Sequence, residues 1–181
     1  MDFRNLNKAC PNDEFPLPNV DLLVDSAVVK SMFSFMDGYS GYNQIRMTAR
    51  DAEKTAFRTL IGIFYYTVMP FGLKNAGTTY QQTMTAIFHD MMHREMEDYV
   101  DDIIVKSKTK ARHFQVLEEV CERCRKYKLH MNPMKCAFGV STRKFLGFLV
   151  HHRGISVNPT KATTIATMKR PATVKELKSF L

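Results

Sequence analysis

The sequence lacks the features that mark exported and membrane proteins. Its 181 residues begin without a basic segment followed by an apolar run. No stretch approaches the roughly 20 apolar residues that a membrane span needs. The four cysteines are too few and too scattered for a dense disulfide framework. We therefore expect an intracellular protein with reduced thiols that is neither secreted nor in contact with a membrane.

Internal repeats and low-complexity tracts are also missing from the sequence. A hydrophobic content of 45% over 181 residues is enough for one well-filled core, or for one core with a small appendage. We therefore expect one main domain.

Acidic residues are scarce in the second part of the chain. Residues 106–181 carry 17 Lys and Arg against 4 Asp and Glu, whereas residues 1–105 carry 9 against 14. A basic part suits contact with a phosphate backbone, and an acidic part can concentrate carboxylates for cations. A solvated basic face without a ligand explains the charge equally well. Charge therefore suggests nucleic-acid binding without establishing it.

Hydrophobic periodicity predicts alternating helices and strands. Asn19 is a candidate N-cap for an amphipathic helix, and residues 32–36 form an apolar run typical of a buried strand that ends at Asp37. Residues 55–69 predict two short strands that turn near Gly62. Two longer helices, a hairpin and two later β-prone runs are predicted at 80–91, 114–124, 99–105, 136–140 and 144–150.

The order strand, helix, hairpin, helix, strand is that of a split βαβ unit. It predicts an α+β fold in which an antiparallel sheet is backed by two helices. In such a sheet the first strand can lie next to the central hairpin, which would bring Asp37 close to Asp101 and Asp102. The sequence alone does not fix this register.

Asp101 and Asp102 lie between two apolar β-prone runs, where a hairpin turn fits. Aspartate is common in solvent-exposed turns for structural reasons alone, so the pair by itself does not indicate a site. With Asp37 it makes a set of three carboxylates, which hard divalent cations such as Mg²⁺ prefer. Two such ions about 4 Å apart can activate an attacking hydroxyl and stabilise a leaving pyrophosphate.

Five segments, in order along the chain, resemble the motifs of reverse transcriptases. Tyr99-Val100-Asp101-Asp102 resembles the YxDD box. Residues 35–42 resemble the first polymerase motif, and residues 69–81 resemble the second. Residues 129–136 are similar to the fourth motif, and residues 145–148 to the primer grip. The first two of these are similar to the gypsy class (Metaviridae) of LTR retrotransposons. Their joint order favours a relationship over coincidence.

The resemblance implies a reverse transcriptase domain over residues 1–181, as a fragment of a Pol polyprotein. The implied fold is a split βαβ palm with partial fingers and the start of a thumb. Fingers parts are expected at 1–31 and 46–75, palm at 32–45 and 76–150, and the start of the thumb or connection at 151–181. We expect the remainder of the polyprotein, including RNase H and integrase, as a partner, and an isolated chain that is incomplete as a polymerase. The expected location is cytoplasmic, with virus-like particles as one place within it.

The implied activity is that of an RNA-directed DNA polymerase, which transfers a nucleotide from a dNTP to the 3′-OH of a primer on an RNA or DNA template. Two Mg²⁺ or Mn²⁺ ions would be bound by Asp37, Asp101, Asp102 and the carbonyl of Gly38. Lys135 would protonate the leaving pyrophosphate.

The resemblance also implies binding sites for the nucleotide and for the nucleic acid. Tyr42 would act as a steric gate whose ring excludes a ribose 2′-OH. The other residues expected to contact the dNTP are Ser40, Gly41, Phe71 and Gly72. The residues expected to contact template or primer are Gln81, Tyr99, Phe145, Leu146 and Gly147.

Two other interpretations stay open. A catalytically inactive, nucleic-acid-binding remnant of a retrotransposon would bind RNA or DNA without incorporating nucleotides. An unrelated domain whose acidic turn binds Ca²⁺ loosely would do neither, but it leaves the motif order unexplained. Taken singly, Tyr42 and Phe71 could be ordinary core aromatics and Lys135 a solvated charge.

Overall fold

In the computed structural model of the chain, the structure describes residues 1–26, 30–145, 148–151, 154–157, 159–168, 172–173 and 178. The helices are α1 Arg4–Ala9, α2 Val20–Ser26, a 3₁₀ helix Gly41–Gln44, α3 Ala49–Glu53, α4 Ala76–Phe88, α5 Lys110–Tyr127 and α6 Pro159–Thr167. The strands are β1 Met32–Asp37, β2 Phe57–Thr59, β3 Gly62–Phe64, β4 Met96–Tyr99, β5 Asp102–Ser107, β6 Ala137–Val140, β7 Thr142–Phe145, β8 Phe148–His151 and β9 Gly154–Val157. Within these ranges no helix is both long and apolar enough to cross a membrane.

The central sheet has the strand order β4-β5-β1-β6, and its neighbouring strands are antiparallel. The chain runs through β1, α4, the β4–β5 hairpin, α5 and β6, so the predicted split βαβ order is confirmed. The first strand lies directly beside the hairpin. The α+β fold class follows from this topology.

Both faces of the sheet are covered by packed side chains. Because side chains alternate along each strand, neighbouring residues point into different cores. In β1, Met36 faces a core built with α4 and α5, whereas Phe33 and Phe35 face a second core. Leu23 of α2 and Phe145 of β7 complete that second core. The sheet is therefore more deeply buried than two backing helices alone would make it.

The helix boundaries agree with the sequence at some points and depart from it at others. Asn19 precedes α2 as predicted, and its Oδ1 accepts a hydrogen bond from the Asp21 N–H at 2.8 Å. Helix α4 ends at Phe88, although the apolar spacing predicted continuation to Met91. The chain turns there and reaches β4 through His93, whose φ of 62° is left-handed.

The buried face of α5 is rotated from the predicted one. Phe114 was expected on the apolar stripe, yet its side chain is 58% exposed. His113 and Val116 are buried instead, with exposures of 0%. The spacing of apolar residues in this helix fits two adjacent faces, and contact with the sheet selects the one that carries His113.

Later in the chain, the single β-prone run predicted at 144–150 belongs to two strands. β7 and β8 pair antiparallel, and β9 pairs with β8 to make a separate three-stranded sheet. The predicted pair of strands around Gly62 is confirmed as the short β2–β3 hairpin.

A buried histidine joins α5 to the sheet. The ring nitrogens of His113 lie 2.7 Å from Ser34 Oγ on β1 and 2.7 Å from Ser107 Oγ on β5. Ser34 Oγ also accepts a hydrogen bond from the Gly139 N–H of β6 at 3.0 Å. Burial lowers the pKa of His113, so the ring is neutral at pH 7, with one donor and one acceptor nitrogen.

His113→Ala is expected to lower the free energy of unfolding by about 2–4 kcal/mol, because it opens a cavity and leaves two buried serine hydroxyls without their partner. Phe114→Ala is the matched control on the same helix, with an expected change within about 0.5 kcal/mol. Urea denaturation of both variants measures the difference. Equal losses would contradict the packing described for α5.

Candidate active site

The three aspartates meet at one edge of the central sheet. Asp37, the last residue of β1, is the register partner of Asp102, the first residue of β5. The Gly38 N–H donates to the carbonyl of Asp101 at 3.1 Å, which continues the pairing past the end of the strands. Paired residues in antiparallel strands have Cα atoms about 4.5–5.5 Å apart. The expectation that Asp37 lies beside the hairpin is therefore confirmed.

Val100 and Asp101 form the turn of the hairpin, here called the 100–101 turn. Val100 has a φ of 54°, in the left-handed region that β-branched residues rarely adopt. A conformation of this kind costs on the order of 1–3 kcal/mol and persists only where surrounding contacts hold it. The direction of the Asp101 side chain thus depends on a strained neighbour.

The described residues around Asp101 do not fully compensate the charge of its carboxylate. Its Oδ1 is buried and has no hydrogen-bond partner among the described residues. Burial raises the pKa of the Asp101 carboxyl, and the nearby charges of Asp37 and Asp102 raise it further, while Lys135 opposes the shift. Such a carboxylate gains from a cation placed against it.

Gly41 makes room for the Asp101 carboxylate. A Cβ atom at Gly41 would overlap Asp101 Oδ1 and would lie 3.0 Å from Cζ of the Tyr80 ring. The absence of a side chain at Gly41 is therefore a requirement of the approach between the 3₁₀ helix and the 100–101 turn.

Lys135 lies at the outer side of this edge. Its Nζ is 3.3 and 3.2 Å from the two carboxylate oxygens of Asp37. The segment that carries it is fixed to β1, because the Asn132 N–H donates to the Asp37 carbonyl at 2.8 Å. The Lys135 side chain is 63% exposed, and ion pairs this exposed contribute little stability. The contact brings Lys135 to the site without making it a structural element.

The carboxylates share an edge without converging on one point. In the part of the chain that the structure describes, no three Asp, Glu, His or Cys side chains form a cluster that could hold one metal ion. The Asp37 carboxylate is engaged by Lys135, and the Asp101 carboxylate lies against Gly41. The backbone pairing brings the three acids to one edge of the sheet.

An aromatic cluster borders the acids. The Tyr42 ring centroid lies 5.2 Å from that of Phe71 and 5.9 Å from that of Tyr80. Phe71 is 55% exposed. The pKa of Tyr42 is raised by burial and then by the charge of Asp101. Two residues predicted to contact a dNTP are thus neighbours at the same edge.

The loop after Phe71 is held by α1. Gly72 has a φ of 95°, and its carbonyl accepts a hydrogen bond from Asn7 Nδ2 at 2.8 Å. Asn7 Oδ1 accepts from the Lys74 N–H at 2.9 Å. No local sequence pattern reveals this role of Asn7, because its amide bonds two backbone groups that are more than 60 residues away in the chain. Ser40, with a φ of 49°, precedes the 3₁₀ helix.

A protein-family model described as reverse transcriptase (RNA-dependent DNA polymerase) matches residues 1–150. The chain belongs to this reverse transcriptase family. The Retrovirus-related Pol polyprotein from transposon opus of Drosophila melanogaster is 36% identical over 181 residues, which are 100% of this chain and 18% of that polyprotein. The Transposon Tf2-3 polyprotein of Schizosaccharomyces pombe is 30% identical over 181 residues, which are 14% of its length. The chain spans less than a fifth of these relatives.

Solved reverse transcriptase structures share the fold. The foamy viral protease-reverse transcriptase in complex with an RNA/DNA hybrid superposes with a TM-score of 0.85 at 23% identity, over 99% of this chain and 24% of that one. Its complex with double-stranded DNA gives a TM-score of 0.86 at 23% identity, over 98% and 31% of the two chains.

Two residues assigned to template or primer are enclosed in this reverse transcriptase fold. Gln81 was predicted to contact template or primer. Its side chain is only 1% exposed, so it is enclosed by the protein and has no surface to offer a template. Phe145 is 4% exposed and packs on Phe35 with ring centroids 6.1 Å apart, so it is a core residue and not a surface contact. Leu146 and Gly147 lie outside the described residues. Tyr99 is half-buried, and its contact with a primer stays a prediction.

Asp98 is a buried acid that the sequence analysis did not assign to the site. It lies two residues after Met96 on β4 and therefore on the same face of the strand, toward α4, where its Oδ2 accepts a hydrogen bond from Gln81 Nε2 at 2.7 Å. Burial raises the pKa of Asp98 to about 7. The period-2 pattern of β4 was the signal that could have placed it on the core side.

Gly41→Ala is expected to lower the thermal midpoint by about 3–10 °C, because overpacking against Asp101 and Tyr80 costs about 1–3 kcal/mol. Gly77→Ala is the matched control, since a Cβ there would meet only the Tyr42 hydroxyl at an ordinary 3.6 Å and alanine favours a helix. Circular dichroism melts compare the two. A Gly41→Ala midpoint equal to that of Gly77→Ala would contradict the close approach at Gly41.

Proposed function

We propose that this chain carries the palm site of an RNA-directed DNA polymerase, which transfers a nucleotide from a dNTP to the 3′-OH of a primer. Membership of the reverse transcriptase family supports the reaction class. The observation that carries the proposal for these residues is the register of Asp37 with Asp102, beside the turn that holds Asp101. The motifs around Asp37 and at 69–81 support a gypsy-type retrotransposon origin, in keeping with transposon relatives.

The acidic edge fits divalent cations. Reverse transcriptases use divalent metal ions. Asp101 Oδ1 has no hydrogen-bond partner among the described residues and lies next to the charges of Asp37 and Asp102. The three carboxylates together supply hard oxygen donors. We assign two Mg²⁺ or Mn²⁺ ions to these three carboxylates, with the Gly38 carbonyl as a further ligand. When bound, the ions would stabilise charge on the phosphates and lower the pKa of the attacking hydroxyl.

Lys135 and the aromatic cluster complete the proposed chemistry. The Lys135 ammonium lies on the outer side of Asp37, a position from which it can donate a proton to the leaving pyrophosphate. Tyr42, wedged between Phe71 and Tyr80, presents a fixed ring where a ribose 2′-OH would collide. Phe71 offers an exposed face to the nucleotide. The backbone of Ser40, Gly41 and Gly72 would complete the triphosphate side.

The proposed partners are a template with its primer and the rest of a Pol polyprotein. Related solved structures hold an RNA/DNA hybrid or double-stranded DNA. The excess of 17 Lys and Arg over 4 Asp and Glu in residues 106–181 suits a phosphate backbone. RNase H and integrase segments would come from the polyprotein, since this chain covers 18% of one such relative. The division of residues 1–181 into fingers, palm and thumb belongs to the same proposal.

A non-catalytic remnant that binds nucleic acid is the second candidate. It is favoured by the ion pair between Lys135 and Asp37, and by the lack of a convergent ligand cluster among the described residues. The two candidates differ in nucleotide incorporation and agree in salt-sensitive nucleic-acid binding.

Primer extension on poly(rA)/oligo(dT) with Mg²⁺ or Mn²⁺ separates them. The polymerase proposal predicts short extension products, and losses of at least a hundredfold in Asp101→Asn and Asp102→Asn, because each removes a carboxylate from the metal site. Asp21→Asn, at an exposed acid on α2, is the control and should keep its activity within about twofold.

Template-primer binding, measured by fluorescence anisotropy at several salt concentrations, runs in parallel. It should persist in all three variants. Extension that survives Asp101→Asn would refute the proposed site. Salt-sensitive binding without incorporation by the unmodified chain under any condition would favour the remnant.

A further inference from the structure

We propose that Gln81 is a positioning residue of this site, holding the 100–101 turn with its side-chain amide in an orientation that Asp98 fixes. The inference rests on the proposed function and adds to it a residue that touches neither nucleotide nor metal.

The amide of Gln81 makes two hydrogen bonds of opposite sense. Its Oε1 accepts from the Val100 N–H at 2.9 Å, and its Nε2 donates to Asp98 Oδ2 at 2.7 Å. Gln81 is 1% exposed and Asp98 is 0% exposed, so water does not compete for either bond. Helix α4 is thereby tied to both the strand β4 and the turn that follows it.

Asp98 selects which end of the amide faces the turn. A glutamine amide has two donors on nitrogen and an acceptor on oxygen, so a flipped Gln81 would point N–H groups at the Val100 N–H. The Asp98 carboxyl accepts the Nε2 hydrogens and leaves Oε1 for Val100. Its other oxygen, Oδ1, has no hydrogen-bond partner among the described residues, so Gln81 supplies the side-chain donor that this carboxyl has there.

The turn needs such a contact because of its backbone conformation. Val100 holds a φ of 54°, which a β-branched residue avoids without outside support. Asp101 comes next, with its carbonyl fixed by the Gly38 N–H and its Oδ1 against Gly41. If the Val100 N–H loses its acceptor, the turn can relax and rotate the Asp101 carboxylate away from Asp37. Gln81 therefore acts on the acids through Val100.

The test compares four substitutions in the full chain. Gln81→Leu removes both hydrogen bonds at similar side-chain volume. Asp98→Leu removes the group that orients Gln81, whereas Asp98→Asn keeps an oxygen acceptor for Nε2. Gln82→Leu is the matched control, since Gln82 sits on the same helix but donates to the Asp13 carboxylate at 3.1 Å.

Two readouts distinguish positioning from plain stability. The first is the dissociation constant of Mn²⁺, followed by the electron paramagnetic resonance signal of the free ion, at a temperature where circular dichroism shows every variant folded. The second is kcat and KM for dTTP on poly(rA)/oligo(dT). Gln81→Leu and Asp98→Leu should weaken Mn²⁺ binding about tenfold and lower kcat about tenfold or more, with template-primer affinity unchanged. Asp98→Asn and Gln82→Leu should stay within about threefold of the unmodified chain.

The inference and the proposed function fail differently. Mn²⁺ affinity and kcat that are unchanged in folded Gln81→Leu would overturn the inference while leaving the polymerase intact. The predicted Mn²⁺ pattern without nucleotide incorporation would support the inference and refute the polymerase. If Gln81→Leu does not fold, the comparison of Asp98→Leu with Asp98→Asn decides, and equal values for the two overturn the inference. No Mn²⁺ binding by the unmodified chain would overturn both.

Discussion

The antiparallel pairing of β1 with β5 is the constraint on which the rest of the structure depends. Their register runs from Met32 with Ser107 to Asp37 with Asp102. A slip of β1 by one residue would exchange the two faces of that strand. Phe33 and Phe35 would then leave their own core, so burial on two faces fixes the register. The same register sets Asp37 beside Asp102, which makes the position of the acids a consequence of core packing.

Buried polar contacts also connect the helices to the strands of this sheet. The side chains of Lys106 and Glu97, exposed by 1% and 0%, pair at 2.6 Å, and Lys106 Nζ also donates to the Ser26 carbonyl of α2 at 3.1 Å. Removing one partner of such a pair lowers the free energy of unfolding by more than the pair contributes, because the remaining charge stays buried without its counter-charge. Together with the contacts of His113 and Gln81, these bonds tie helices on both faces to the strands that end at the site. The acidic edge, by contrast, gathers like charges: burial raises the pKa of the Asp101 carboxyl, and the charges of Asp37 and Asp102 raise it further.

The sequence predicted what depends on local pattern and known motifs. Short apolar runs located β1 and the hairpin, and the three aspartates followed from the resemblance of their motifs. Tertiary contacts decided what the pattern left open: Phe114 is exposed because the sheet meets the adjacent face of α5, and α4 ends at Phe88 without a Gly or Pro to mark it. Periodicity could not reveal the left-handed conformation of Val100. It could not reveal the bonds of Gln81 to Asp98 and Val100 either, because these join residues that are distant in sequence.

The central claim is that this register creates a divalent-cation site at the end of β1 and β5. Paramagnetic broadening of backbone amide NMR signals during Mn²⁺ titration tests it most directly. The account predicts that the amides of Asp37, Gly38, Asp101 and Asp102 broaden first, at Mn²⁺ concentrations far below the protein concentration. Uniform broadening over the surface, or earlier broadening at the α5 acids Glu118, Glu119 and Glu122, would contradict it.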